Sequence, residues 1–199
     1  SITVYRIPEP RVISSGGINP SPLPGAVALR FEYPDGSHDA ETLLVDPKSG
    51  DLYILTKNMK HGVSGLYRAA FPHNESEVSR LERVATIAFP GGRSERSATG
   101  GDIAFGGEAV LVRSYPRGYF WTRPAGSTIA STLENPPCTV PIAVEPQGES
   151  VAFSADGQNY FSLSESSRQP IYVYERVQPT GPMDPRPLSQ DKTAPAKKG

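Results

Sequence analysis

Three stretches of this chain repeat one pattern: an acidic residue, a short apolar run, a tight turn and a second apolar run. The first, HDAETLLVDPKSGDLYILTK, spans His38 to Lys57, with Glu41 leading Thr42–Val45 and Leu52–Leu55 returning after the turn Asp46–Asp51. In the second, Asp102 leads Ile103–Phe105, Gly106-Gly107 turns, and Glu108–Val112 returns. In the third, Glu149 leads Ser150–Phe153, Ala155-Asp156-Gly157 turns, and Tyr160–Leu163 returns. Proline cannot donate to a ladder and glycine supplies positive φ, so each turn separates two strands of a hairpin. The acidic leaders stand 61 and 47 residues apart, which is not a strict period, but the order of events is the same each time. One four-stranded antiparallel sheet per roughly 40–60 residues is the grammar of a propeller blade. The expected class is therefore all-β, a β-propeller of antiparallel four-stranded blades. The alternative is a β-sandwich with similar hairpins.

Composition supports many short strands. Gly 19 and Pro 21 make about one residue in five of the 199, a density of turn formers that leaves little room for long helices. Lys+Arg 20 against Asp+Glu 21 gives a net charge of -1, without the excess of cations that nucleic acids or anionic membranes demand. No apolar run approaches the ~20 residues of a membrane-spanning helix. The opening SITVYRIPEP has neither the charged segment nor the apolar core of a signal peptide. Cys138 is the one cysteine, so no internal disulfide framework exists.

In chain order, strands are expected at Ile2–Ile7, Ala26–Tyr33, Gly65–Ala70, Leu81–Phe89, Tyr119–Arg123 and Ile171–Arg176, besides the three hairpins. Residues 14–24 read as a Gly/Pro/Ser loop. Ser127–Leu133 fits either a strand or one helical turn, and Asn135–Gln147, with four prolines, reads as a connector. Propeller blades are expected over 1–177 and a disordered Pro/Lys-rich tail over 178–199.

The series HDAETLLVDPKSGDLYILTK, TGGDIAF…VLVRSY and PQGESVAFSADGQNYFSLSE resembles uncharacterised bacterial propeller proteins near the six-bladed TolB-like superfamily. These are distantly similar to the phytase-like esterase group. The resemblance covers most of residues 1–176. It implies a partial propeller, about three to four blades of a six-bladed one: the outer half of one blade, two complete blades and three strands of another. In that family a stretch like GDIGDNR precedes the ITVYRIPEP strand. Its absence here implies the C-terminal part of a larger propeller whose remaining blades lie outside this chain. A periplasmic or extracellular location is implied by the resemblance alone.

The first strand of a blade lines the central channel, so Glu41, Asp102 and Glu149 are expected at equivalent positions facing one another across its mouth. Three such carboxylates repel unless a cation joins them or some take up protons. A hard cation with oxygen ligands answers the first requirement, Ca²⁺ above all; paraoxonases and propeller phytases, which resemble this group, hold calcium on their axis. The alternative is an ion-paired plug, because Lys57, Arg113 and Glu165 end the second strands and return to the same face. His38 and Asp39, beside Glu41, form a candidate acid–base pair or a loop-stabilising one.

Other motifs are missing or bland. His61 and His73 share no metal-ligand spacing. There is no Gly-x-Ser-x-Gly elbow, phosphate loop or dinucleotide fingerprint. Asn74-Glu75-Ser76 fits a glycosylation triplet, Cys138 between prolines reads as inert, and Tyr115, Tyr119, Trp121, Tyr172 and Tyr174 read as inter-blade core. Two functions follow. One is a non-catalytic module that binds a small molecule or protein at the channel face. The other is a calcium-dependent hydrolase of esters, lactones or phosphoesters, with Lys57 and Arg113 steadying negative charge.

Overall fold

A computed structural model describes residues 1–9, 24–57 and 62–177 of the chain. The expected loop over 14–24 lies almost wholly outside these residues, as do His61 and the tail from 178. The strands are β1 (Ile2–Arg6), β2 (Val27–Glu32), β3 (Ala40–Val45), β4 (Leu52–Thr56), β5 (Val63–Ala69), β6 (Ser79–Arg80) and β7 (Glu82–Ala88). They continue with β8 (Gly100–Ile103), β9 (Ala109–Arg113) and β10 (Gly118–Thr122), the helical turn α1 (Ile129–Leu133), then β11 (Cys138–Val140), β12 (Gly148–Phe153), β13 (Asn159–Ser164) and β14 (Ile171–Glu175). No helix among the described residues is long and apolar enough to cross a membrane.

The strands form four sheets: β1-β2-β6, β3-β4-β5-β7, β8-β9-β10-β11 and β12-β13-β14. Consecutive strands pair antiparallel, apart from the two-residue β6, which runs parallel to β2. The sheets pack face to face in chain order, and the first strands β3, β8 and β12 lie side by side without sharing a ladder. This is a propeller-like, all-β architecture. Successive sheets of one molecule packed about a shared inner edge are what the repeated hairpin demanded, and a two-sheet sandwich is not what forms.

Burial follows position in the sheet. β3 alternates, with Thr42 and Leu44 buried between exposed neighbours, as a strand with one covered face must. β4 (LYILT) and β9 (AVLVR) are buried at every residue, because a sheet covers each of their faces. The first and second sheets meet on Leu29, Phe31, Tyr33, Ile54, Tyr67 and Leu81. The second and third meet on a larger core that includes Leu44, Leu55, Leu66, Val110, Tyr119 and Trp121. Two glycines allow β8 to fit between its neighbours. A Cβ on Gly100 would stand 2.5 Å from the Glu149 carbonyl, and one on Gly101 would stand 2.9 Å from the Thr42 methyl.

One open expectation is decided and two are corrected. Ser127–Leu133 yields one helical turn, opened by Thr128, whose hydroxyl accepts from the Ser131 amide. The Asn135–Gln147 connector contains β11, which completes the third sheet against β10. Three residues between prolines are too few to show an alternating pattern, yet they suffice at a sheet edge, where Pro is tolerated. Tyr119 and Trp121 are core, but Tyr115 is not, and Tyr172 is 37% exposed on β14.

Candidate functional site

The face at the start of the first strands carries the acidic leaders, and the ladder register decides which of them correspond. Ala40 pairs with Thr56 and Thr42 with Leu55, so Glu41 is the extra residue of a β-bulge. Gly148 pairs with Ser164 and Ser150 with Leu163, which makes Glu149 the extra residue of a matching bulge. β8 has no bulge: Gly100 pairs with Arg113, Gly101 with Val112 and Asp102 with Leu111. Asp102 therefore corresponds to Leu43 and Val151, one step further along the strand. The expected equivalence of the three carboxylates holds for Glu41 and Glu149 and fails for Asp102. Likewise Lys57 and Glu165 correspond, each donating its backbone N–H to the residue before its first strand, Asp39 and Gln147. Arg113 stands one residue earlier, level with Thr56.

Each leader has its own partners. Lys57 Nζ, nearly buried, lies 2.8 Å from both carboxylate oxygens of Glu41 and 2.8 Å from the Tyr115 hydroxyl. Burial works against that ammonium, but the bonds to Glu41 and Tyr115 outweigh it and hold the Lys57 pKa above the ordinary lysine range. Asp102 accepts from two backbone amides, Ile103 and Phe153, each at 2.8 Å, and so ties β8 to β12. Burial raises its pKa despite those two donors. Glu149 accepts from the Gln147 side chain at 3.3 Å. Glu165 is exposed.

Arg113 turns away from Asp102 altogether. Its Nη1 donates to Glu145 at 2.6 Å, and both side chains are essentially without solvent exposure. Further donors reach the carbonyls of Ser114, Tyr115 and Ser150, while Glu145 accepts from Ser162 at 3.0 Å. The guanidinium is thus fully engaged between the third and fourth sheets, and Gly148 is the cradle in which it lies.

His38 pairs with Asp35, not with Asp39, whose side chain is exposed. His38 Nε2 lies 2.8 Å from Asp35 Oδ1 and 2.9 Å from the Tyr67 hydroxyl, and that hydroxyl donates to Asp35 Oδ2 at 2.8 Å. The rings of Tyr33, His38 and Tyr67 pack edge-on or tilted within about 5 Å of one another. The bonds from His38 and then Tyr67 hold the Asp35 carboxyl below the usual range. Burial, followed by the Asp35 carboxylate, pushes the Tyr67 phenol up to about 12. Tyr67 is consequently a hydrogen-bond donor at neutral pH.

This trio stands beside a cavity of about 340 Å³ between β1 and β3. Tyr33, His38, Glu41 and Thr42 line it together with Leu43 and Ile54. The hydroxyls of Tyr33 and Thr42 are closed off from solvent and find no hydrogen-bond partner among the described residues, and the Thr42 side chain faces Gly101 of β8. A larger cavity of about 480 Å³ opens at the other end of β3. Four of its charges are spent on one another: Arg123 holds Asp46 with both amino groups, and Arg68 holds Asp51.

The carboxylates do not suit a calcium ion. Ca²⁺ needs six to eight oxygens at one point, whereas Glu41 is committed to Lys57 and Asp102 to two amides. Among the described residues no three His, Cys, Asp or Glu side chains are placed to hold a metal. Sequence reasoning missed Asp35, Tyr67, Tyr115 and Glu145. Asp35 three residues before His38 was a usable local signal. The other three lie on β5, in the turn between β9 and β10, and in the proline-rich connector, and nothing local marks them.

No family model matches the chain, and no curated protein matches it. Among solved structures, a candidate 6-phosphogluconolactonase from Bacteroides uniformis is similar at a TM-score of 0.48 and 11% identity. The match covers 80% of this chain and 44% of that one. The PQQ-bound aldose sugar dehydrogenase from Streptomyces coelicolor is similar at a TM-score of 0.47 and 16% identity, covering 79% of this chain and 48% of that one. This chain spans less than half the length of either. At such scores and identities the likeness carries no argument about activity.

Proposed function

We propose that this chain is a non-catalytic, propeller-like binding module whose ligand occupies the cavity between β1 and β3. The carrying observation is the mixed lining of that cavity, in which His38 and Glu41 stand beside the apolar Leu43 and Ile54. Leu43 and Ile54 fit the ligand's apolar body, and His38 and Glu41 its polar end. On the same face Lys57, Glu41, Arg113 and Asp102 are already engaged within the protein, which favours binding over turnover. A calcium-dependent hydrolase would require Glu41 to release Lys57 and Asp102 to release two amides, and this weighs against that reading.

The test pairs two measurements. Ester, lactone and phosphoester substrates should show no turnover, with calcium or with chelator. A thermal-shift screen of small metabolites should give stabilising ligands whose effect disappears in Leu43→Asp and His38→Ala. Turnover that is lost in His38→Ala would overturn the non-catalytic reading.

A further inference from the structure

The second and third sheets each end on a fourth strand that pairs antiparallel with the third: β7 covers β5, and β11 covers β10. The fourth sheet stops at β14, whose inner edge is fully used by β13, from Asn159↔Glu175 to Leu163↔Ile171. Its outer edge pairs with no strand among the described residues. Ile171 and Val173 on one face of β14 are 64% and 54% exposed. Proteins usually blunt such an edge with lysine, proline or a bulge. The run Ile171-Tyr172-Val173-Tyr174 carries none of these, and its neighbouring sheets show what covers the corresponding position, an antiparallel strand.

The sequence of β14 points to the occupant. Around Val173 the strand reads the same in both directions, Tyr-Val-Tyr, and it carries no charge until Glu175. A two-fold interface requires that residue i meet j while j meets i. Any strand laid antiparallel on its own copy meets this condition, and the register centred on Val173 sets Tyr172 opposite Tyr174 and keeps each Glu175 opposite Ile171, away from its counterpart. No like charges stand directly opposed, and aromatic pairs across a ladder are favourable. We propose that β14 pairs antiparallel with β14 of a second copy of this chain, Val173 facing its counterpart on the two-fold axis. The fourth sheets of the two copies then join into one continuous sheet, each copy supplying the outermost strand that the other lacks. This surface is separate from the cavity beside His38, so the dimer stands or falls independently of the ligand.

Light scattering on the full 199-residue chain tests it. The expected mass is twice the 21.4 kDa of one chain. Val173→Lys, at a position 54% exposed, places two lysines face to face and should weaken the dimer about tenfold or more. Tyr5→Lys, on the exposed β1, should leave the dimer intact. In a Cys138→Ser background, Val173→Cys should cross-link through a short bismaleimide, and Tyr5→Cys should not. A monomer at every concentration overturns the proposal. So does a dimer insensitive to Val173→Lys, or one that cross-links at position 5 and not at 173.

Discussion

Arg113→Met is expected to destabilise the protein by about 3–5 kcal/mol, the cost of breaking a buried ion pair from one side. The size follows from what the substitution strands. Glu145 loses its cation at a site with about 1% side-chain exposure, and the Ser114, Tyr115 and Ser150 carbonyls lose their donors. Only the Ser162 hydroxyl remains on Glu145, too little to solvate a carboxylate cut off from water. For a domain of this size each kcal/mol shifts the melting temperature by about 2–4 °C, so the loss should be roughly 6–20 °C. Urea unfolding, followed by Trp121 fluorescence and by circular dichroism, measures it. The double variant Arg113→Met/Glu145→Leu is the decisive comparison. Replacing both partners with apolar groups removes the stranded charge, so the double should be more stable than Arg113→Met alone. A single variant costing less than about 1 kcal/mol, or a double whose loss equals the sum of two singles, would refute the argument.

Asp102 has a raised pKa in the folded state, so the folded protein binds the proton more tightly than the unfolded chain. Its contribution is most favourable below the unfolded value, near 3.9, and is lost as pH rises through the folded value. Asp102→Asn, which keeps an acceptor for the Phe153 amide, should abolish that decline; urea melts from pH 4 to 8 that keep the wild-type slope would contradict it. Glu165→Lys copies the Glu41–Lys57 arrangement opposite Glu149 and should add about 0.2–1 kcal/mol, sensitive to salt; a loss in the same melts would show that the two bulges differ. Gly100→Ala drives a methyl against the Glu149 backbone carbonyl and should cost about 1–3 kcal/mol, whereas an unchanged melting temperature would mean that β8 and β12 separate freely. Calcium and chelator should leave the melting temperature alike, and a rise of several degrees with calcium would revive the axial site.

Much of the fold was legible because it is local. Alternation along Val27–Glu32 and Ala40–Val45, and the apolar runs at Leu52–Thr56 and Ala109–Arg113, are properties of neighbouring residues, and so are the turns between them. The pairing of Glu41 with Lys57 was equally accessible, since the two flank one hairpin. The repeat of that hairpin was enough to specify sheets stacked in sequence. What the repeat could not reveal is register. A bulge arises from how two strands settle against each other, and Glu41 and Glu149 have one while β8 does not. Side chains alternate along a strand, so a single unbulged residue sends Asp102 to the β12 backbone instead of into a common ring of carboxylates. Contacts between sheets were beyond sequence for the same reason. Glu145 is anonymous in its connector until packing brings it to Arg113, and Tyr67 reaches the local Asp35–His38 pair only once the turn folds back over β5. Hydrophobic period and turn chemistry act over a few residues and determined the strands. The partners of buried charges depend on which faces meet, and only the tertiary structure decided those.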